Sequence, residues 1–201
     1  MLDEKFEHIM DKYVYAKKML ETELEILINE FYRKHKYNPV EHLKSRIKSE
    51  ESIKKKLIKN GHEVNAENMY KYINDIIGIR IVCSFITDVY DIVSVISNSH
   101  NIEILQKKDY ISKPKDTGYS SYHLIVNVPI YLQNQVKYVK AEIQIRTSAM
   151  DFWASLAHKM QYKFPNEIPE DVKKQMYEYS LIVKELDKKM LSLNEIVNKY
   201  K

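Results

Sequence analysis

The chain has 201 residues, 44% hydrophobic and 30% charged, and its 32 Lys and Arg against 28 Asp and Glu leave a net charge of +4. That balance excludes a disordered chain and fits one domain of ordinary core size with helical extensions. The only glycines, Gly61, Gly78 and Gly118, are too scattered for a P-loop or a dinucleotide-binding fingerprint, and the lone Cys83 excludes an internal disulfide or a cysteine-built zinc site.

From the N-terminus, apolar residues fall at Phe6, Met10, Tyr13, Leu20, Leu24, Leu27 and Phe31, steps of four and three broken only at Lys17. This predicts a long amphipathic helix over about 3–36, ending before Pro39. The segment 44–59 sets Lys44, Arg46, Lys48, Lys54, Lys55, Lys56 and Lys59 against only Glu50 and Glu51. Ser49 is placed to cap a helix with both glutamates in its first turn, so that Ser52, Lys56 and Lys59 share one face. Such a face is either a solvated charged helix or a phosphate cradle built from side chains instead of glycine-loop amides.

The period then shortens to two. Strands are expected over 78–86, 102–108, 122–130 and 138–147, with a helix over 88–99, which makes a small mixed sheet. Pro, Gly, Asp and Ser in the 109–120 segment predict a loop. Within it the cations Lys113 and Lys115 precede Tyr119, with His123 just beyond, a pairing of charge and ring suited to a nucleobase and its phosphates. Along 137–147, Val139, Ala141, Ile143 and Ile145 take one face and Lys140, Glu142, Gln144 and Arg146 the other. If the strand of Arg80 neighbours this one, Asp75 and Glu142 meet at one end of the sheet, and two hard carboxylates suit Mg²⁺. A helical run follows with Trp153 as a core residue and His158 on an undetermined face.

After Pro165 and Pro169 a second seam, Val172, Met176, Tyr179, Val183, Leu186, Met190, Leu193 and Val197, predicts another long helix over about 168–199. Each terminal helix has either its own body or another subunit as partner. No stretch approaches the roughly 18 uninterrupted apolar residues of a membrane span, and no apolar signal core follows the N-terminus. With a single cysteine, this reads as a soluble cytoplasmic chain with no membrane partner.

Five segments in order, 46–52 (RIKSEES), 75–80 (DIIGIR), 118–123 (GYSSYH), 142–147 (EIQIRT) and 152–158 (FWASLAH), resemble the RelA/SpoT synthetase domain over about residues 40–165. The absence of a hydrolase domain before this core, or of regulatory domains after it, fits a stand-alone small alarmone synthetase of the RelQ type. The resemblance implies an α+β, nucleotidyltransferase-like mixed sheet flanked by helices, with residues 1–201 as a single synthetase domain. It implies a GTP pyrophosphokinase that transfers the β,γ-pyrophosphate of ATP to the 3′-hydroxyl of GDP, GTP or GMP. In that reading Arg46 and Arg80 sandwich the adenine, and Lys48, Ser52, Lys56 and Lys59 grip the ATP phosphates. Asp75 and Glu142 hold Mg²⁺, Glu142 is also the base, Tyr119 stacks on guanine, and Lys113, Lys115, His123, Gln144 and His158 line the acceptor site. The resemblance further implies a homotetramer and an alarmone effector. Lys59, Ser120, Ala157 and His42 depart from the residues that relatives commonly carry. Two rivals remain: an RNA-binding module using the same lysines and tyrosines, which leaves Asp75 and Glu142 without a purpose, and a helical interaction protein with a degenerate body.

Overall fold

The computed structural model describes residues 2–132, 135–164 and 168–200. Among these, helix α1 spans Leu2–His35, strand β1 Val40–Ile47, α2 Glu50–Lys59, α3 Ala66–Tyr72, β2 Ile77–Cys83 and α4 Ile86–Ser97. Strands β3 (Glu103–Asp109), β4 (Tyr122–Leu132) and β5 (Gln135–Thr147) lead to α5 (Ser148–Tyr162) and α6 (Glu170–Asn198). Pro165, the first of the two prolines before α6, and the side chain of Phe6 lie outside the described residues.

The strands form one mixed sheet in the order β1-β2-β5-β4-β3, parallel only between β2 and β5. Period-two alternation gives the sheet two unlike faces. Ile77, Ile79 and Ile81 on β2, Ala141, Ile143 and Ile145 on β5, and Leu124, Val126 and Val128 on β4 are buried in one core. That core is covered by α1 through Tyr13, Ala16, Leu20 and Leu24 and by α4 through Val89, Ile92 and Ile96. Cys83 and Trp153 are buried, as expected from their apolar surroundings. The opposite face carries the polar positions, cross-strand rows that run Arg46–Gly78–Glu142 and Lys44–Arg80–Gln144–His123.

Two elements escape the sequence reading. The strand β1 is an edge strand with an irregularity between Val40 and His42, which breaks the alternation and leaves its basic residues to read as a charged patch. The helix α3 has only seven residues and is declared by one cap, Asn65 accepting from the Asn68 amide at 2.8 Å. The helix α4 starts two residues before Asp88, because that carboxylate lies one turn inside, where it accepts from the Phe85 amide (2.9 Å) and the Tyr37 hydroxyl (3.0 Å).

The terminal helices share a pattern but not a fate. Lys17, the break in the first seam, is absorbed by an ion pair with Glu21 (2.9 Å) and a hydrogen bond to Ser45 of β1 (3.0 Å). On α6 the buried residues are Met176, Ser180 and Asp187, a stripe that shares Met176 with the apolar seam and departs from it at Ser180 and Asp187, while Val172 and Val183 of the seam pack beside Met176. Tyr179, Leu186, Met190, Leu193 and Val197 are exposed instead. No described helix is long and apolar enough to cross a membrane.

Candidate active site

The polar sheet face opens into a pocket of about 210 Å³ lined by Lys44, Arg46, Asp75, Arg80, Glu142 and Gln144 among others. Gly78 is its floor. The Arg46 side chain lies 3.6 Å from where a Cβ at Gly78 would stand, so the missing side chain keeps the row between Arg46 and Glu142 open.

The expected pairing of the β2 and β5 strands is parallel, with Gly78 opposite Glu142, and it brings Asp75 and Glu142 into the same pocket. At the pocket edge Asp75 accepts from Lys48 Nζ (2.8 Å) and from Lys56 Nζ (2.9 Å). Lys48 follows β1, whereas Lys56 reaches in from α2, whose start is fixed by Ser49 capping the Ser52 amide and whose buried Ile53 and Leu57 turn Lys56 inward. Burial alone would raise the Asp75 carboxyl, but the two lysines overcome it and hold it below the usual aspartate range. Ser52 and Lys59 lie on the exposed side of α2, Ser52 sharing a hydrogen bond with Ser49 at 2.8 Å.

Glu142 is held at both carboxylate oxygens: Oε1 lies 3.2 Å from His123 Nδ1, and Oε2 accepts from Gln144 Nε2 at 2.8 Å. Burial pushes this carboxyl up, and the charge of Asp75 acts the same way. The His123 and Gln144 contacts outweigh both and leave it below the usual glutamate range. Two oxygen-donor carboxylates on one pocket fit a divalent cation that takes few protein ligands. Among the described residues no cluster of three or more His, Cys, Asp or Glu could hold a metal.

The loop side is built differently. Tyr119 Oη lies 2.8 Å from His123 Nε2, and Tyr110, Tyr119 and His123 meet edge to face. Lys115 Nζ stands over the Tyr110 and Tyr119 rings at 4.7 and 5.1 Å. Tyr119 packs against the cluster of Trp153, Ala157 and Met176, so α5 and α6 form its back. Gly118 adopts φ +76°, and a Cβ there would fall 2.0 Å from Ser180 Oγ of α6, which makes glycine obligatory for both conformation and space. Lys113 and His158 are exposed, and no hydrogen bond or ion pair of their side chains is seen among the described residues, although the Lys113 amide bonds the Asp109 carbonyl at 3.3 Å.

Two further residues join the site. Arg146, buried at the end of β5, places Nε 3.0 Å from Asp151 Oδ1, and Arg80 places NH1 3.3 Å from the same oxygen. These are charge contacts without directed hydrogen-bond geometry, since Arg80 Nε, Arg146 Nε and Asp151 Oδ1 all lack a hydrogen-bond partner. In sequence Asp151 looks like an ordinary acid in the first turn of a helix, and only the β2–β5 pairing reveals that it faces two arginines.

A family model described as the region found in RelA / SpoT proteins matches residues 45–167. The chain is 47% identical over 186 residues to the GTP pyrophosphokinase YwaC of Bacillus subtilis, covering 92% of this chain and 89% of that one. The crystal structure of small alarmone synthetase 2 from Bacillus subtilis is similar with a TM-score of 0.84 and 44% identity, over 94% of this chain and 98% of that one. Small alarmone synthetase 1 from the same organism, bound to its product pppGpp, gives a TM-score of 0.85 at 30% identity, over 97% and 99%.

Proposed function

The chain belongs to the RelA/SpoT family, and from that premise we infer that it is a GTP pyrophosphokinase, a cytoplasmic small alarmone synthetase acting as one synthetase domain over residues 1–201. It transfers the β,γ-pyrophosphate of ATP to the 3′-hydroxyl of GDP or GTP, with GMP as a further acceptor. The observation that carries this reading is Asp75 held between Lys48 and Lys56 beside a pocket that also holds Glu142 and two arginines. A nucleic-acid groove gains nothing from carboxylates at its cationic centre, whereas a polyphosphate donor with a divalent cation needs both signs together.

Arg46 and Arg80 take the two faces of the adenine. Lys48 and Lys56 release Asp75 for the ATP phosphates, and Ser52 and Lys59 extend the cradle along α2. Tyr119 stacks on guanine, with Lys113, Lys115, His123, Gln144 and His158 around the acceptor. Asp75 and Glu142 would hold Mg²⁺, which when bound neutralises phosphate charge and orients the donor. Glu142 accepts the proton of the 3′-hydroxyl as its oxygen bonds to the β-phosphorus. The bond from that phosphorus to the α-bridging oxygen breaks, and AMP leaves with that oxygen. We further assign the exposed α6 seam to a homotetramer, with an alarmone as effector.

Incubation with ATP, Mg²⁺ and each of GMP, GDP and GTP, followed by nucleotide separation, tests the assignment. AMP should appear in step with a new guanosine polyphosphate. Release of ADP, or ATP left intact with every acceptor, would overturn it.

A further inference from the structure

At the α5 end of the donor pocket one carboxylate serves two arginines. Asp151, in the first turn of α5, places Oδ1 3.0 Å from Arg146 Nε and 3.3 Å from Arg80 NH1. The two arginines come from neighbouring strands: Arg146 of β5 lies opposite Val82 of β2, and Arg80 stands two residues earlier on β2. The Arg146 side chain is only 3% exposed and its NH2 donates to Gln144 Oε1 at 3.5 Å, whereas the Arg80 side chain is 37% exposed and lines the pocket with Arg46.

Two guanidinium groups this close repel, and the surroundings decide which of them yields. Arg146 is enclosed and held from its far side by Gln144. Arg80 has its Nε buried without a hydrogen-bond partner, so its base is fixed and its head is free to swing in the open pocket. Asp151 therefore sets where that head stands. Among the described residues Asp151 does not line the pocket, so it holds Arg80 from outside. An acid in the first turn of α5 also suits the helix dipole, but that role would cost stability alone and leave nucleotides untouched.

We propose that Asp151 is a positioning residue for the donor nucleotide, which holds the Arg80 head at the wall of the adenine slot against the repulsion of buried Arg146. This rests on the reading that Arg80 takes one face of the adenine. The loss of such a residue weakens ATP and spares the chemical step at saturation.

The sign of the effect makes the test decisive. Removing a negative charge beside a polyphosphate pocket should tighten ATP by Coulomb attraction alone, whereas loss of position weakens it. Asp151→Ala in the intact chain should weaken a nonhydrolysable ATP analogue about three- to tenfold by calorimetry. The affinity for GDP and kcat at saturating ATP should each change less than about twofold. In an Arg80→Ala background the same substitution should weaken the analogue no further, because nothing remains to be positioned. Asp151→Asn, of the same shape but without the charge, should fall between the parent and Asp151→Ala. It carries the test if Asp151→Ala leaves Arg146 too poorly compensated to fold. Unchanged or tighter ATP in either variant would overturn the proposal, and unchanged ATP with a lowered melting temperature would leave Asp151 a helix-dipole acid. A loss that adds in full to that of Arg80→Ala would overturn it as well. If Arg80→Ala alone binds the analogue like the parent, the adenine reading is what fails, and the proposal falls with it.

Discussion

The sides of the site proposed here for donor and acceptor meet at Glu142 but are held by different forces. On the donor side Lys48, Lys56 and Asp75 are tied by ion pairs of 2.8 and 2.9 Å, and Arg46 rests along an empty glycine floor. On the acceptor side Tyr119 is held by packing, against Trp153 and Met176 behind and by the contact of Gly118 with Ser180 below. Donor groups must exchange partners when a nucleotide arrives, so that side is sensitive to charge and salt. The acceptor platform exists before its ligand does, so that side is sensitive to volume and backbone conformation.

The largest expected effect lies at the junction. Glu142→Gln should lower the chemical step by a factor on the order of 10² to 10⁴ while the affinities for a nonhydrolysable ATP analogue and for GDP, measured by calorimetry, stay near those of the parent. Near-normal turnover would remove Glu142 from the mechanism. Next comes Gly118→Ala, which combines a left-handed backbone cost of about 1–2 kcal/mol with a Cβ that meets Ser180 at 2.0 Å. It should weaken GDP on the order of tenfold and leave ATP alone. An equal loss for both nucleotides would mean that the two sides are not separable. On the donor side Arg46→Ala should do the converse, costing ATP roughly 0.5–2 kcal/mol without a matching loss for GDP.

Much of the donor side was legible because its signals are local. Ser49, Glu50, Glu51 and the lysine spacing declare α2, and the alternation of 137–147 puts Glu142 and Gln144 on a polar face before any partner strand is known. The acceptor side was legible only as a loop carrying Tyr119. Its support comes from α6, about sixty residues later, and Ser180 and Asp187 are buried polar positions that hydropathy marks as surface. Asp151 and Arg146 were missed for the same reason, since their meeting depends on sheet order. The hidden strand β1 shows the opposite difficulty, because its charged residues belong to the site and obscure the alternation of a strand.

Asp187 offers a smaller test of how α6 supports the acceptor side. The Thr147 hydroxyl donates to its carboxylate at 2.8 Å and accepts from the Met150 amide at 3.1 Å, tying α6 to the end of β5 and the start of α5. Burial raises the Asp187 carboxyl above the ordinary aspartate value, and the Thr147 bond only partly offsets it. The folded state therefore binds this proton more tightly than the unfolded one. The associated stability is complete below the unfolded value of about 3.9 and is lost as pH rises through the folded one. Asp187→Asn keeps an acceptor for Thr147 and removes the ionisation. Thermal melts should show the variant gaining on the parent between acid and neutral pH, and parallel curves would contradict the burial argument.

The smallest effect on folding is expected from the α6 seam, where Leu186 and Leu193 are half exposed although their pattern matches that of Leu20 and Leu24 on α1, which are fully buried. A heptad stripe specifies that a face wants a partner, not which partner it finds. Leu24→Ala should therefore cost roughly 2–5 kcal/mol in a chemical melt. The double variant Leu186→Ser and Leu193→Ser should change the stability of the single chain by only about 0.5 kcal/mol. What that double variant should change is mass: light scattering at micromolar concentration should show the parent above 24 kDa and the variant moving toward it, while the AMP-forming reaction persists because none of the donor residues touches that stripe. A parent already at the mass of one chain would leave the seam without a partner and remove the tetramer. Since Asp187 is packed within its own protomer, a truncation that probes the same question must start at Lys188, beyond the part of α6 that supports Gly118 and Thr147.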